Sequence, residues 1–454
     1  MNTAIQRALQ RSELIAANVK AAGGGNPIAS SGALGALGIG SSQQNQAREQ
    51  QRHFSGWVYA AIRVIANRIA GQPVRVAKRT TSAPSDPKAR IKSAVRFKRA
   101  PAFVKSVANR LEPLDTHPLL TALESPNPLM SGFALIYTVV AHLELCGQSF
   151  LWMRDANGGG LESGLEIWPL PPSWVRPQHD HGPFSSYKVR PDYLGTEFEI
   201  PGDEVARLHY VDPADPVLGC YSPLQAAALA VSTDEHIQTA QQRHFLNGVF
   251  PGMAFIVGRQ PGIDGTPGER PALNREQRQQ ITTAVKQAYR GSYNANEPII
   301  LDQIIQDVKR ITATAQELDF VNSSGLTKDR ILQLFGVSPA SMGDVDAPNR
   351  ASSAAADDHL CKGTLAPKCA MISQGLSQWV APKFGGDVVA YIEEPRASDP
   401  DSDRQDREQL AKYGCITRDE LRAAVHLEPL DEGGDELITA SGAGITLNPP
   451  ANAN

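Results

Sequence analysis

Apolar residues recur every three or four positions in several stretches of this chain, and such spacing predicts α-helices. The first two stretches are residues 57–70 and 133–145. A third begins at Ser222, a favourable helix cap, with Pro223 at the first helical position, and Gly248 can end it. This helix of roughly 25 residues makes a rod of about 37 Å. Its first half is small and apolar and its second half is rich in Gln, which favours packing beside other helices.

Short segments of alternating apolar and polar residues lie between these helices and predict β-strands. The segments are residues 73–76, 150–153, 165–168, 205–209, 250–257, 299–301 and 304–305. Short strands between helices are typical of small antiparallel sheets in α+β folds. We therefore expect an α+β fold.

The region between the third helix and the next long helix predicts a compact αβ insert. Asn274 is a helix cap with Gln277 as its capping-box partner, and Gly291 ends the short helix that they begin. Strand segments stand on both sides of it. The insert therefore contains one helix and several short strands.

The last long apolar helix is predicted at residues 317–335. Gly336 and Pro339 stop it, and a polar loop follows. A new helix is expected to begin near Ser352, and Pro367 should kink it, because proline lacks the N–H that a helix interior needs. The order is helix, exposed loop, helix.

Both ends of the chain have compositions that predict disorder. Residues 21–56 are rich in Gly, Ala, Ser and Gln and have no apolar period, so we expect residues 1–56 to be flexible. Residues 441–454 are rich in Gly, Ala, Asn and Pro and are expected to form a disordered tail.

The 454 residues carry a formal net charge of −4, but the charges are unevenly distributed. Residues 75–110 contain many bases, with Asp86 as the only acid, whereas acids dominate from Asp387 onward. We interpret the basic stretch as an insertion that forms a long, solvated surface loop, with a nucleic-acid-binding surface as the alternative. An acidic protein is not expected to coat DNA through its phosphates.

Composition narrows the class of protein. Hydrophobic residues at 41% and charged residues at 20% predict a soluble globular chain, and no apolar run reaches the roughly 18 residues that cross a bilayer. The first residues lack the apolar core of a secretion signal, so we expect a cytoplasmic protein without membrane contact. The five cysteines form no Cys-x-x-Cys pair and are expected to be reduced, buried small hydrophobes.

The motifs of catalysis and nucleotide binding that we sought are absent. The sequence has no Gly-x-x-x-x-Gly-Lys-Ser/Thr phosphate loop, no Gly-x-Ser-x-Gly elbow and no His-Glu-x-x-His zinc motif. His179, Asp180 and His181 could supply metal ligands, but they lie in a Pro- and Gly-bordered segment without a second ligand cluster. A solvated turn is the favoured interpretation.

A second cluster of reactive side chains lies late in the chain. Asp357, Asp358 and His359 with Cys361 could suggest a nucleophile and a base, yet only residues three or four apart share a helix face. An ordinary helix surface is favoured. Three tryptophans of strand-like segments are expected to pack in the core rather than stack on bases: Trp152, Trp168 and Trp174. We predict no catalytic residue, no metal site and no cofactor.

The strongest signal lies where the helix of residues 317–335 stops. Residues 333–343, Gln-Leu-Phe-Gly-Val-Ser-Pro-Ala-Ser-Met-Gly, with Leu-Ala-Pro at 365–367, resemble a motif block of tailed-bacteriophage portal proteins. Further segments resemble that family in the same order along the chain. They are residues 57–70, 117–120, 126–128, 147–150, 169–170, 221–224, 245–248, 293–296, 414–422 and 427–434. The resemblance covers roughly residues 50–440.

Portal proteins form the rings through which DNA enters and leaves a capsid. The resemblance implies a portal-type fold with a wing, a long-helix stem, a small αβ clip and a helical C-terminal crown, assembled as a ring, usually of twelve copies in this family. The corresponding regions are the wing at 57–221, the stem helices at 222–248 and 315–335, the clip at 249–314, the tunnel loop at 336–351, a kinked helix that returns to the wing at 352–404 and the crown at 405–440.

The resemblance also implies partners. They are the large terminase, head-completion or adaptor proteins, the major capsid protein and double-stranded DNA, which passes through the channel without sequence-specific contacts. The protein would reside in the virion, at the portal vertex, after assembly in the host cytoplasm, and would not be an enzyme. The alternative is an α+β hydrolase that uses His359 or the His179 loop, or a capsid-associated scaffold without a channel.

Two further expectations name residues of the ring. The apolar half of the first stem helix lacks polar groups for solvation, so Ala227 and Val231 are expected to contact neighbouring subunits. Lys286 and Arg290 lie one turn apart on the helix after Asn274 and are expected to meet an acidic motor or adaptor surface.

The tunnel loop is expected to touch the DNA, with Gly343 as its hinge. Its acidic residues would repel phosphates, while its basic residue would make transient contacts with them. The residues are Asp344, Asp346, Asn349 and Arg350. An ordinary connection between two helices is the alternative.

Overall fold

The computed structural model describes residues 43–80, 95–155, 164–179, 184–246, 253–257, 305–310, 320–343, 350–397, 400–424, 427–430 and 433–438, and the single positions 276, 279 and 283. The chain forms two compact units. The first comprises residues 1–345 and 360–395, and the second comprises residues 346–359 and 396–454.

The first unit contains both helices and strands. Its described α-helices are α1 (Gln43–Arg52), α2 (Gly56–Ala70), α3 (Ala102–Ser106), α4 (Pro118–Glu124), α5 (Gly132–Cys146), α6 (Pro223–Ala226), α7 (Ala228–Leu246), α8 (Phe320–Phe335) and, following α9 of the second unit, α10 (Ala366–Gly375). Its described strands are β1 (Val74–Arg79), β2 (Leu111–Leu114), β3 (Gln148–Asp155), β4 (Leu165–Leu170), β5 (Val175–Gln178), β6 (Ser186–Val189), β7 (Phe198–Pro201), β8 (Val205–His209), β9 (Met253–Val257), β10 (Ile305–Arg310) and β11 (Val388–Ile392).

The described strands form small antiparallel sheets. Their orders are β11-β1-β2, β4-β3-β8 and β5-β6-β7, and β9 pairs with β10. In the second sheet, Leu151 of the central strand lies opposite Pro169 and Ala206. The α+β prediction is confirmed, and β3, β4 and β8 lie where the alternating pattern predicted strands.

Helix α5 forms the centre of the core. Ser131 caps its start by accepting a hydrogen bond from the Ala134 N–H at 3.3 Å, and Gly147 ends it with a φ of 74°. A Cβ at Gly147 would lie 3.0 Å from the backbone of Ser222, so the close approach also requires glycine. The helix packs against α2 and β3. Its buried residues include Leu135, Ile136, Val139, Val140, Leu143 and Leu145.

The predicted helix of about 25 residues has two segments, α6 and α7, joined at Ala227. The predicted cap is present: Ser222 Oγ accepts from the Gln225 N–H at 3.0 Å, and the Gln225 side chain accepts from the Ser222 N–H at 2.8 Å. Helical hydrogen bonds continue through the junction, because the Val231 N–H donates to the Ala227 carbonyl at 2.9 Å. Helix α7 packs beside α8.

Part of the basic stretch is built into the fold, so the prediction of a solvated loop is wrong for residues 95–110. These residues include α3, and Phe97 packs against Tyr391 with 6.0 Å between ring centroids. The apolar positions were spaced three or four apart but hidden among cations. The cluster that they form consists of Ala77, Phe97, Ala100, Val104, Ala108, Leu111, Val389 and Tyr391.

Several cations of this stretch pair with the acids that follow β11. Glu393 accepts from Arg75 at 3.1 Å and from Arg99 at 3.0 Å, and Glu394 accepts from Lys105 at 2.6 Å. Glu393 and Glu394, at the start of the acidic part of the sequence, therefore lie beside these cations and partly neutralise them.

The expected flexibility of residues 1–56 is wrong for the helix α1. Ala47 and Gln50 are buried, and the helix packs against α5. The Cys146 thiol donates to the Ala47 carbonyl at 3.8 Å. A short helix that buries one small and one polar residue leaves no apolar period in the sequence, which explains the wrong prediction.

The second unit contains the helices α9 (Arg350–His359), α11 (Pro400–Lys412) and α12 (Arg418–Ala423). Thr417 caps α12 by accepting from the Glu420 N–H at 3.2 Å, while Glu420 accepts from the Thr417 N–H at 2.9 Å. Thr417 also forms an isolated β-bridge with Leu437. Ile416 is buried beside this bridge.

Candidate functional site

Helix α8 ends in a Schellman arrangement that fixes the start of the following segment. Gly336 has a φ of 73°, its N–H donates to the Gln333 carbonyl at 2.9 Å, and the Val337 N–H donates to the Leu332 carbonyl at 2.9 Å. Leu332, Phe335 and Val337 are buried. The predicted helix stop is confirmed, and the chain leaves the helix from a well-packed point.

Residues 336–343, which we call the loop segment, form a tight turn after this point. Ser338 Oγ accepts from the Ser341 N–H at 3.3 Å, and the two hydroxyl groups lie 2.6 Å apart. Pro339–Met342 makes one turn of 3₁₀-helix, and Gly343 follows with a φ of 84°. A Cβ at Gly343 would meet nothing within 4 Å, so its backbone conformation is what favours glycine there.

The residues predicted to touch DNA lie at the end of this segment and beyond it. Asp344, Asp346 and Asn349 fall outside the described residues. Arg350 is the first residue of α9, so this helix begins two residues earlier than the predicted start at Ser352.

A π-helical stretch, Leu360–Leu365, lies between α9 and α10 and replaces the predicted simple kink. Pro367, in the first turn of α10, has no N–H for the carbonyl of Gly363, which favours an irregular turn before it. Thr364 Oγ1 donates to the Gly336 carbonyl at 2.7 Å. A Cβ at Gly336 would lie 2.5 Å from that hydroxyl, so both contact and conformation require glycine.

One turn beyond Thr364, a buried polar cluster joins α10 to α5. Glu144 is fully buried, and its Oε1 accepts hydrogen bonds from Lys368 Nζ and from Tyr210 Oη, the latter at 2.6 Å. Lys368 Nζ also donates to Tyr210 Oη at 3.1 Å. Burial, and then the neighbouring Glu144 carboxylate, raise the pKa of Tyr210 well above its usual value. Lys368 thus supplies a cation beside a buried acid.

The residues predicted to contact neighbouring subunits are already covered within one subunit. Ala227 is fully buried and Val231 is 5% exposed, because α6 packs against α5 and α8 and α7 packs against α8. The reasoning that only a neighbour could cover them therefore does not hold. Leu229, between them, is 72% exposed and is the large apolar side chain that this turn presents to solvent.

The residues predicted to dock a motor protein, Lys286 and Arg290, lie outside the described residues. Their predicted helix is described at positions 276, 279 and 283, all of which are helical. On either side of the insert, β9 and β10 pair antiparallel, with Val257 opposite Ile305. The insert thus has the predicted strands at both of its ends.

The structure describes the weaker catalytic candidates only in part. His179 Nδ1 accepts from the Phe184 N–H at 3.3 Å, while Asp180 and His181 are not described. Within the described ranges, no group of three or more His, Cys, Asp or Glu side chains could hold a metal ion. His359 ends α9, and Cys361 is a buried thiol of the π-helical stretch.

The five cysteines form no disulfide bonds, but two of them depart from the prediction that all are buried. Cys415 is exposed and Cys220 is half-buried. The three tryptophans expected in the core are half-buried, and each indole N–H reaches a carboxylate. Their partners are Glu204 for Trp152 at 3.2 Å, Glu166 for Trp168 at 2.8 Å and Asp192 for Trp174 at 3.3 Å.

Sequence reasoning missed the buried Arg207, which organises the connection between β8 and α6. Its guanidinium donates to Gln148 Oε1 at 3.1 Å and to the carbonyls of Val217 at 3.0 Å and Leu218 at 2.9 Å. It lies over the ring of Phe184, 4.6 Å from the centroid. Burial lowers the pKa of Arg207. A lone arginine in an apolar strand was the available signal.

The chain is similar to known proteins both in sequence and in fold. A family model described as "Phage portal protein" matches residues 57–425. An uncharacterized protein of Rickettsia bellii (strain RML369-C) is 24% identical over 328 residues, which are 71% of this chain and 81% of the relative. In the part of the chain that the structure describes, no helix is long and apolar enough to cross a membrane.

Two solved structures of gene transfer agent (GTA) particles share the fold. A chain from the neck of an empty particle, computed with C6 symmetry, is 18% identical, with 86% of this chain and 95% of that chain covered and a TM-score of 0.53. A chain from the neck of a native particle, computed with C12 symmetry, is 17% identical, with coverage of 88% and 99% and a TM-score of 0.53. Because the family model spans most of the sequence, this chain belongs to the phage portal protein family.

Proposed function

We propose that this chain is the subunit of a portal ring, with about twelve copies at one capsid vertex forming the channel for packaging and ejection of double-stranded DNA. The observation that carries the proposal is the family match over residues 57–425. A neck structure of similar fold was computed with C12 symmetry, which supports the number of copies. The ring resides in the virion after assembly in the host cytoplasm.

The described elements support an assignment of regions. Helices α7 and α8 pack beside each other and bracket the β9–β10 pair, which is the order of stem, clip and stem. The sheets and helices before residue 222 then form the wing, and α12 belongs to the crown. The loop segment and the residues up to 351 form the tunnel loop. The major capsid protein surrounds the ring in this assignment.

The channel acts through shape and charge, without covalent catalysis. A ring of twelve chains has a formal charge of 12 × (−4) = −48, and negative charge along the lumen repels DNA phosphates, so the DNA slides without sticking. In the tunnel loop, Asp344 and Asp346 supply repulsion, whereas Asn349 and Arg350 make transient contacts. At about 0.1 M salt, charges act over about 10 Å, so the loop must be close to the DNA.

The clip is the proposed docking surface for the large terminase during packaging and for head-completion or adaptor proteins afterward. Lys286 and Arg290 are its proposed contacts with acidic partner surfaces. Because the protein itself carries no nucleotide-binding motif that we recognise, the energy for packaging comes from the partner.

Deletion of residues 344–349 tests the channel role of the tunnel loop. We expect rings and capsids to assemble normally but to retain shorter DNA after packaging, because the loop no longer holds the DNA. The measurement is the length of encapsidated DNA on pulsed-field gels. A deletion of equal length in the tail, residues 449–454, is the control and should retain full-length DNA. Full-length DNA in heads of the loop deletion would contradict the proposal.

A further inference from the structure

We infer that Thr364 and Lys368 are positioning residues for the loop segment: Thr364 ties the start of that segment to the π-helical stretch, and Lys368 ties the adjoining helix to α5. The inference rests on the proposed function, because it concerns the segment proposed to enter the channel. Two side chains that are remote from this segment in sequence thus hold it in place.

The first contact captures the carbonyl of Gly336, the residue that follows α8. Backbone carbonyls in folded proteins take hydrogen bonds from other backbone groups, from side chains or from water. The Gly336 carbonyl takes one from Thr364 Oγ1 at 2.7 Å, and Thr364 is buried. The bond thus joins the first residue of the tunnel loop to a residue 28 positions later in the chain.

The second contact holds the helix that carries the first. Lys368 lies four residues after Thr364, and its ammonium group is bonded to Glu144 of α5 and to Tyr210. Loss of one partner of a buried ion pair leaves an uncompensated charge, which makes sliding of α10 along α5 costly. Helix α10 also packs against β11, so it is fixed on two sides.

The two contacts act in series. The start of the loop segment can move relative to α5 if the Thr364 bond breaks. If that bond holds, α10 must move with the segment, and the Lys368 contacts must break. π-Helical turns are rare and concentrate at functional sites, and here one occurs at the junction between the two contacts. The arrangement therefore sets how freely the start of the loop segment moves.

The test is hydrogen exchange of residues 336–343 in the assembled ring. Thr364→Val removes the hydroxyl with little change in shape, and we expect about fivefold faster exchange, the factor expected for loss of one hydrogen bond. Thr364→Ser should restore slow exchange. The matched control is Thr327→Val, the same substitution at a buried threonine of α8, whose hydroxyl donates within that helix to the Ser323 carbonyl at 2.8 Å. Equal exchange in Thr364→Val and Thr327→Val would overturn the inference.

Lys368 is tested without leaving a buried charge. The double variant Glu144→Gln, Lys368→Met removes both charges together, so the subunit should still fold. We expect faster exchange in residues 360–368 as well as in residues 336–343. Unchanged exchange in residues 336–343 would contradict the role of Lys368 and would leave Thr364 as the one proposed positioning residue.

A second readout separates this inference from the proposed function. Heads assembled with Thr364→Val are expected to retain shorter DNA than heads with Thr327→Val. If exchange of the loop segment increases and DNA length stays at the wild-type value, the positioning contact stands and the channel role of the loop is contradicted. If exchange does not increase, the positioning contact fails, whatever the result for DNA.

Discussion

Helices α5 and α7 have 15 and 19 residues, but they differ in how much of each is buried within the subunit. Nine of the 15 residues of α5 are buried, including Leu135, Val139 and Leu143. In α7, burial ends at Asp234, and the following residues to Gln242 are exposed or half-buried. Helix α5 finds its partners inside one chain. Residues 235–242 of α7 have no buried side chain in the part of the chain that the structure describes, so this surface is available for the subunit contacts that the proposed ring requires.

The first prediction removes a buried side chain of α5. Leu143 is 1% exposed, so Leu143→Ala leaves a cavity and is expected to lower the free energy of unfolding by about 2–5 kcal/mol. Denaturant unfolding followed by circular dichroism measures this loss. Leu229→Ala on the exposed face is the matched control and should change subunit stability by less than about 0.5 kcal/mol. Equal losses for both variants would contradict the difference between the helices.

The second prediction uses a histidine of α5. Burial lowers the pKa of His142 to about 4, against 6.5 in an unfolded chain, so the folded protein keeps it neutral. As pH falls below about 6.5, the unfolded chain binds a proton that the folded chain does not, and stability falls until about pH 4. The expected loss at pH 5 is about 2 kcal/mol relative to pH 7.

His142→Gln should remove this part of the pH dependence, which denaturant titrations at pH 7 and pH 5 measure. His236→Gln is the control on α7, where the side chain is exposed. If His142→Gln loses as much stability between the two pH values as the wild type does, the buried neutral histidine is not the cause.

These contrasts also show what could be predicted from sequence. The apolar spacing of α2 and α5, the Ser222 cap and the Gly336 helix stop are local signals, and the structure confirms them. Helix α1 and the packed residues around Phe97 were missed, because small or charged neighbours concealed their buried faces.

The contacts that hold the loop segment could not be predicted from local sequence patterns either. Glu144 and Lys368 are 224 residues apart, and Thr364 meets Gly336 only in the fold. A glutamate within an apolar helix was the one visible hint. The chain-wide order of motifs indicated the family, but it contained no information about which side chains hold the loop segment.

The third prediction has the smallest effect on the subunit and concerns α7 in the ring. Leu229→Asp places a charge on the exposed face, so subunit stability should stay within about 0.5 kcal/mol of wild type. In a ring contact the same charge would be buried without a partner, and we expect dissociation in sedimentation velocity. Leu229→Met, which stays apolar, should preserve the ring. A Leu229→Asp protein that sediments as wild type would exclude this face from the contact.

The central claim is that the chain assembles into a ring by itself. Native mass spectrometry of the purified protein, without ATP, metal or DNA, tests it most directly. The prediction is a particle of about twelve copies of the 48.8 kDa chain, with a central hole in negative-stain images of the same sample. A protein that remains a monomer at micromolar concentration would contradict the claim.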